Sequence, residues 1–375
     1  MKRKEQAVDF WLLITALILA GIGLVMVYSS SMYKSMDLVG DGMFYFKKQA
    51  VRLMIGLVIM MLMTKLNYRG YAKLGQALMV AGLFMLAALL VQKNTGSRNA
   101  DRWLRLGAFT FQPSELMKVI MVVYLASAIV RMGDKIREFR AGLMPLLGVI
   151  GLSFVLIVLE PDLGTAALVI AISFSILFLG RSKLLHLVII TFPAVGAMAF
   201  TVMTVPYMKN RVTLFLEKAG GYQVTQSIIG IGSGGIFGVG LGNSVQKFFF
   251  LPENHTDFVF SIFAEEVGLL GTTILLALLL FYVYRGFRIA MEAPDMFGFL
   301  LASGLSLMIG MQVFINIGVA MKVLPTTGMT LPFISYGGTS LILSFVATGI
   351  LLNISKQGNY ERRLSREFGS RLHRR

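Results

Sequence analysis

Residues 10–30 read FWLLITALILAGIGLVMVYSS, a run without a single charge. At 1.5 Å of helical rise per residue, about 20 such residues span the roughly 30 Å hydrocarbon core of a bilayer. Lys2, Arg3 and Lys4 precede the run and no small-residue cleavage motif follows it. It therefore reads as a retained first span and not as a signal peptide. Nine further apolar runs lie near 48–64, 74–92, 113–131, 143–160, 163–180, 184–205, 258–284, 296–321 and 338–355. The expectation is an all-α polytopic membrane protein of about ten transmembrane helices, a single domain over residues 1–375.

Composition agrees. Hydrophobic residues make up 56% and charged residues 14%, with a mean hydropathy of +0.74; soluble domains carry about 25% charge. No polar stretch is long enough for a large soluble domain. The absence of cysteine excludes disulfides, thiolate nucleophiles and cysteine metal sites. His186, His255 and His373 are too scattered to suggest a metal cluster.

In a soluble chain, the net charge of +16 would point to nucleic acid; in a membrane chain it first reports orientation. With both termini in the cytoplasm, 21 of the 35 basic residues fall on the inside, the strongest signal coming from 65–73, 181–183 and 285–295. Nucleic acid drops out as a partner. The basic tail, 356–375, reads as a solvated anchor near anionic membrane lipid.

Two outside connections are long, and long connections are where function concentrates. Residues 93–112 are polar. Residues 206–257, between spans seven and eight, form the largest extracytoplasmic loop and end in LPENHTDF. Within it GIGSGG at 230–235 matches a dinucleotide fingerprint, but no strand or βαβ unit surrounds it. Gly230, Gly234, Gly238 and Gly242 recur every fourth residue, so either a close-packing helical stripe or a flexible glycine-rich loop explains them better. The lack of an internal repeat argues against an alternating-access transporter.

Ionisable residues at membrane depth are costly and mark function. Glu115 and Lys118 share a helical face after Pro113, either as a structural pair or as part of a polar cavity. Arg52 lies one turn inside span two, where snorkelling is the alternative. Asp162, after Glu160 and Pro161, is a cap for span six with Thr165 or a site residue. Glu265 and Glu266 are adjacent in span eight and cannot both face one partner. Asp257 meets span eight at its N-terminus, where it caps with Thr256 or acts as a base; the helix dipole favours its anion. The breakers in PTTGMTLPFISYGGTS, 325–340, place irregular backbone at membrane depth, which requires a cavity or protein packing around it.

Four spaced motifs carry a resemblance over nearly the whole chain: RWLRLGAFTFQPSELMK at 102–118, EPDLGTA at 160–166, GVGLGNSVQKFFFLPENHTDFVFSIFAEEVG at 238–268 and LPTTGMTLPFISYGGTS at 324–340. The chain resembles the SEDS family (shape, elongation, division and sporulation), the bacterial lipid II polymerases. Its last two motifs are closer to the division branch than to the elongation branch, with a departure at Thr327, where some division members carry lysine.

The resemblance implies a peptidoglycan glycosyltransferase that polymerises lipid II on the outer face of the bacterial cytoplasmic membrane, at the division septum, beside a class B penicillin-binding protein and other divisome proteins. It puts the catalytic aspartate on Asp257 and cavity positions on Arg52, Glu115, Lys118 and Asp162. With Arg102, Lys247, His255, Thr256, Glu265 and Ser335, these form the expected substrate-binding set. Asp257 would deprotonate a sugar hydroxyl, and cations drawn from Lys118, Arg52, Arg102, Arg105 and Lys247 would stabilise the departing pyrophosphate. No firm cofactor is implied, although a divalent cation at the pyrophosphate remains compatible with this chemistry. A lipid II flippase, an elongation-type polymerase and a scaffold are the competing readings.

Overall fold

The computed structural model describes residues 8–91, 102–106, 109–216, 221–248 and 250–372. The ten apolar runs each become one helix: α1 (Phe10–Val39), α2 (Phe44–Lys65), α3 (Arg69–Val91), α4 (Pro113–Met132), α5 (Met144–Leu159), α6 (Leu163–Leu179), α7 (Leu184–Thr204), α10 (Val259–Met291), α11 (Met296–Ala320) and α12 (Gly338–Leu372). Eight of the helical segments are long and apolar enough to cross a bilayer. Of the other two, α6 has 17 residues, and α2 carries Lys47, Lys48, Arg52 and Lys65. A hairpin of two three-residue strands, β1 (Leu104–Leu106) and β2 (Phe109–Phe111), precedes α4. The protein is an all-α, multi-pass membrane protein.

Local chemistry sets the helix ends. The Asp9 side chain accepts from Leu12 N to start α1, and Gly40 closes that helix in the left-handed region. Pro113 occupies the first turn of α4, where its missing N–H costs nothing. Asp162 caps α6 by accepting from Thr165 N at 3.3 Å, so the capping alternative holds.

α4, α11 and α12 form the buried centre, whereas α7 sits at the periphery with Phe192 and Met203 largely exposed. At one end, α1, α3, α10 and α12 are tied by Asp9 to Arg285, by Tyr68 Oη to Asp295 (2.7 Å), and by Arg69 to both Asp295 and Glu361 (2.8 Å each). This is the end that the basic residues assign to the cytoplasm. The opposite end holds the irregular segments.

Two expectations need correction. The stretch 206–257 is not a simple loop, because it contains α8 (Pro206–Leu216) and α9 (Tyr222–Ser233), and α9 packs on α10 and α11. The glycines are not one helical stripe either. α9 ends at Ser233, and Gly238, Gly240 and Gly242 all adopt positive φ, which ends helical geometry and favours glycine. They form an ordered loop spliced into α10, where Gly268 (φ 68°, ψ −170°) interrupts the helix. Finally, α12 continues as helix through much of the expected tail, to Leu372. The polar segment 93–101 and the tail side chains beyond Glu361 lie outside the described residues.

Candidate active site

Asp257 stands on the last turn before α10, in a segment pinned from two sides. Asn316 Nδ2 of α11 donates to Asp257 O (2.8 Å) and to Met329 O (2.7 Å), joining this turn to the breaker-rich stretch 324–337. Tyr336 N donates to His255 O at 2.8 Å. The capping alternative for Asp257 fails: Phe258 is the cap residue, no side chain bonds there, and Thr256 Oγ1 instead donates to Glu253 Oε2 (2.9 Å).

The Asp257 side chain lines a polar cavity of about 510 Å³. Arg102, Gln112, Glu115, Arg211, Glu253 and Tyr336 line the same cavity. Arg102 is held over the α5–α6 junction, where its guanidinium donates to Glu160 O (3.1 Å) and Pro161 O. Gln112 Nε2 bonds both Ser114 Oγ and Asp162 Oδ2 at 3.1 Å, so Asp162 supports the wall from behind. Lys118 Nζ lies 2.8 Å from Glu115 Oε1 and 2.9 Å from Gln312 Oε1. Gln312 in turn donates to Thr330 O (3.0 Å) and Ser340 Oγ (3.3 Å), linking α4, α11 and α12 beneath the cavity.

Burial, reinforced by the negative charge of Glu253, pushes the Asp257 carboxyl up to about 7, while Arg211 and Arg102 pull it the other way. Burial therefore outweighs the anion-favouring helix dipole expected from the sequence. Burial also lowers His255 to about 4, assisted by the charge of Lys34, so the imidazole is neutral. Its ring packs on Tyr45 (4.9 Å) and Tyr336 (5.6 Å), and Arg52 lies 4.6 Å over Tyr336. Arg52 and His255 thus reach the cavity through Tyr336.

Of the expected residues, Arg102, Glu115, Thr256 and Asp257 form the cavity wall, with Lys118, Asp162, Arg52 and His255 behind it. Lys247, Glu265 and Ser335 belong elsewhere. Lys247 is buried and donates to Glu266 Oε1 (3.2 Å) and Gly242 O, which sets it against the glycine-rich loop and off the wall of the Asp257 cavity. Glu266 also accepts from Ser29 Oγ (2.6 Å). Glu265 accepts from Ser244 Oγ and from Val245 N (2.9 Å), fastening the glycine-rich loop. The adjacent carboxylates do face different partners, as their spacing requires. Ser335 Oγ accepts from Leu331 N (2.8 Å) within its own turn. The side chain of Arg105 lies outside the described residues.

Sequence reasoning missed Arg211, Glu253, Tyr336, Gln312 and Asn316. Gln312 and Asn316 had a usable signal, as two amides four apart on one face of an apolar span. Arg211 had none, since it lies among the basic residues of a loop. Among the described residues, no group of three or more His, Asp or Glu side chains could hold a metal ion.

Comparison with known proteins gives concordant results. Residues 10–360 match the family model for FtsW, RodA and SpoVE, described as cell cycle protein. The chain is 38% identical to stage V sporulation protein E of Bacillus subtilis, covering 96% of this chain and all of that one. It is 40% identical to a probable peptidoglycan glycosyltransferase FtsW of Methylomonas methanica, covering 92% of each chain. Among solved structures, it matches a chain of a peptidoglycan synthase complex that coordinates polymerization and crosslinking, with 30% identity, a TM-score of 0.77 and coverage of 94% and 98%. It also matches the rod shape determining protein RodA of Thermus thermophilus, at 29% identity, a TM-score of 0.69 and coverage of 93% and 97%. Family model, sequence relatives and fold agree, and the chain belongs to the FtsW/RodA/SpoVE family, the SEDS proteins whose motifs it carries.

Proposed function

We propose that this protein is a peptidoglycan glycosyltransferase that polymerises lipid II at the outer face of the cytoplasmic membrane, with Asp257 as the general base. The observation that carries the reading is a carboxylate poised near neutrality, in one cavity with the guanidinium groups of Arg102 and Arg211. A general base works best when its pKa lies near the operating pH.

The acceptor sugar hydroxyl loses its proton to Asp257 as its oxygen bonds to the anomeric carbon of the donor. The bond from that carbon to the pyrophosphate oxygen breaks, and the electron pair leaves with the phosphate. Arg102 and Arg211 are fixed cations for the charge that develops there. One base and an already anionic leaving group make a direct displacement, giving a β linkage from an α donor. A glycosidase, by contrast, needs an acid as well. Lys118, paired to Glu115 and held by Gln312, keeps the cavity floor in place. A divalent cation, if recruited, would arrive with the pyrophosphate, and activity titrated against EDTA tests for it.

The relatives named FtsW favour septal wall synthesis in division. The match to a chain from a complex coupling polymerization to crosslinking favours a class B penicillin-binding protein as transpeptidase partner. Purified protein given lipid II in detergent should make glycan strands, and Asp257→Asn should abolish them with the fold retained. Translocation of lipid II across vesicles without polymer would favour the flippase and refute this reading.

A further inference from the structure

α4 and α6 both start at the Asp257 cavity, where Ser114 donates to Asp162, and run to the opposite, cytoplasmic end. Their far ends touch, because a Cβ on Gly180 would crowd the Ile129 side chain. Two connections leave them there, 133–143 to α5 and 180–183 to α7, and the rings of Phe139 and His186 join the two, edge to face at 5.4 Å. With the end of α4 they present Arg131, Lys135, Arg137, Arg140, Arg181 and Lys183, against Asp134 and Glu138. All eight side chains are exposed, and among the described residues none of them forms an ion pair.

The backbone beneath these cations is closely packed. Ile136 is buried between Lys135 and Arg137, Gly142 lies too near Lys135 O to carry a Cβ, and Glu138 N donates to Lys135 O at 2.9 Å. Arg181 takes a left-handed φ of 65°, where glycine would fit without strain. Two buried polar atoms stand in the same corner. Ser182 is 8% exposed, and neither its Oγ nor Nδ1 of His186 has a hydrogen-bond partner. Groups of this kind are nearly always satisfied in folded proteins. They flank the start of α7, a 21-residue helix that no side chain caps, so its first amides and its dipole favour an anion. Phe139, Met144, Leu184 and Leu185, next to these residues in the chain, are exposed as well.

We propose that this corner holds the phosphate of an anionic phospholipid from the cytoplasmic leaflet. Arg181 and Lys183 supply cations from one connection, Arg137 and Arg140 from the other, and Ser182 Oγ donates between them. The occupant follows from charge and place. Unpaired cations call for negative charge, and a helix start with a buried hydroxyl calls for acceptor oxygens. A free phosphate would leave the neighbouring apolar side chains in water, whereas the acyl chains of a lipid cover them. The site lies at the far end of the bundle from Asp257 and requires nothing of the chemistry there.

The test counts bound lipid. Full-length protein in detergent is titrated with phosphatidylglycerol and with phosphatidylcholine and read by native mass spectrometry. Phosphatidylglycerol should bind about tenfold more tightly. The pair Arg181→Gln/Lys183→Gln should remove most of that preference, and Arg137→Gln/Arg140→Gln repeats the test on the facing connection should the first pair fail to fold. Lys65→Gln/Lys73→Gln takes the same charge from another cytoplasmic connection and should keep the preference. Ser182→Ala changes no charge and should still weaken phosphatidylglycerol by about threefold, the effect of one lost hydrogen bond. An equal loss in the Lys65/Lys73 pair, or unchanged binding in Ser182→Ala, would show diffuse attraction to a positive face and overturn the site. Displacement of the lipid by inorganic phosphate at equal concentration would make this a phosphate site, and displacement by polyglutamate a docking site for acidic protein; either result overturns the lipid assignment.

Discussion

Gly238 and Gly268 meet backbone to backbone, and neither site has room for a Cβ. A methyl on Gly238 would overlap the carbonyl of Glu266, and one on Gly268 would overlap the amide nitrogen of Gly238. The contact exists because α10 breaks at Gly268, and the loop supplies the hydrogen bonds that the helix gives up. Val239 N and Gly240 N donate to Glu265 O and Glu266 O (3.0 Å each), while Leu269 N and Leu270 N donate to Gly235 O and Ile236 O (2.9 and 3.1 Å). Glu265 then ties down the start of the segment that ends at Asp257. Gly238→Ala or Gly268→Ala combines this overlap with backbone strain of about 1–3 kcal/mol. Both variants should lower the melting temperature in detergent and lose polymerisation. Gly232→Ala, with open space around it and an ordinary helical φ, should do neither.

The pH dependence of the reaction should report Asp257. As the proposed general base, Asp257 would work ionised; burial raises its carboxyl to about 7, so kcat/KM should climb with pH up to about 7 and level off above. The negative charge of Glu253 is the second cause of the elevation, after burial. Glu253→Gln should therefore move the acidic limb to lower pH, leaving the alkaline plateau in place. Arg102→Gln should move the limb to higher pH and also lower the plateau, because it removes one of the cations proposed to stabilise the leaving group. A limb that stays put in both variants would show that another group is titrating.

How legible this was in the sequence depends on the kind of signal. Spans were readable because twenty uncharged apolar residues have one stable solution in a bilayer; all ten runs became helices within a few residues of their expected ends, apart from the longer α1, α10 and α12. Glu115 and Lys118 were readable because a three-residue spacing on a helix brings side chains together. The roles of Lys247 and Glu265 were not. A buried charge within a catalytic motif looks the same in sequence whether it faces a substrate or clamps the loop that carries one. Glu266 takes Lys247 only because the Gly268 break folds residues 235–247 back over α10, a tertiary event that no local pattern encodes. Arg211 was hidden for the opposite reason. Its importance comes from its place in the wall of the Asp257 cavity, and its sequence neighbourhood looks like ordinary loop charge.

Glu160 should carry a measurable cost. It is 1% exposed, neither carboxylate oxygen has a hydrogen-bond partner, and burial together with the charge of Asp162 raises its pKa to about 8 despite Arg102. A carboxyl whose folded pKa lies above its unfolded value of about 4.5 is favoured neutral, so its penalty is absent below that pH. The penalty grows as pH rises and is complete above about 8. Glu160→Gln should raise the melting temperature at pH 8 and leave it nearly unchanged at pH 5. An equal gain at both values would mean that shape, and not charge, is what the substitution relieves.

The Lys118–Glu115 pair separates structural from catalytic service. Both side chains are buried, and Lys118 Nζ has two partners, Glu115 Oε1 and Gln312 Oε1. Removing one member leaves an uncompensated buried charge, at a cost of about 3–5 kcal/mol. Glu115→Gln and Lys118→Met should each lower the melting temperature sharply. Joined in one protein, the two replacements abolish both charges together, and most of the lost stability should return. Glu115 also lines the cavity, and under the proposed function its pairing with Lys118 would set the charge that the cavity floor presents to lipid II. The double variant should therefore fold and still polymerise at least tenfold more slowly than the parent, with the loss in KM for lipid II. If full activity returned along with stability, the pair would be a brace for α4 alone, and the cavity's cationic service would fall entirely to Arg102 and Arg211.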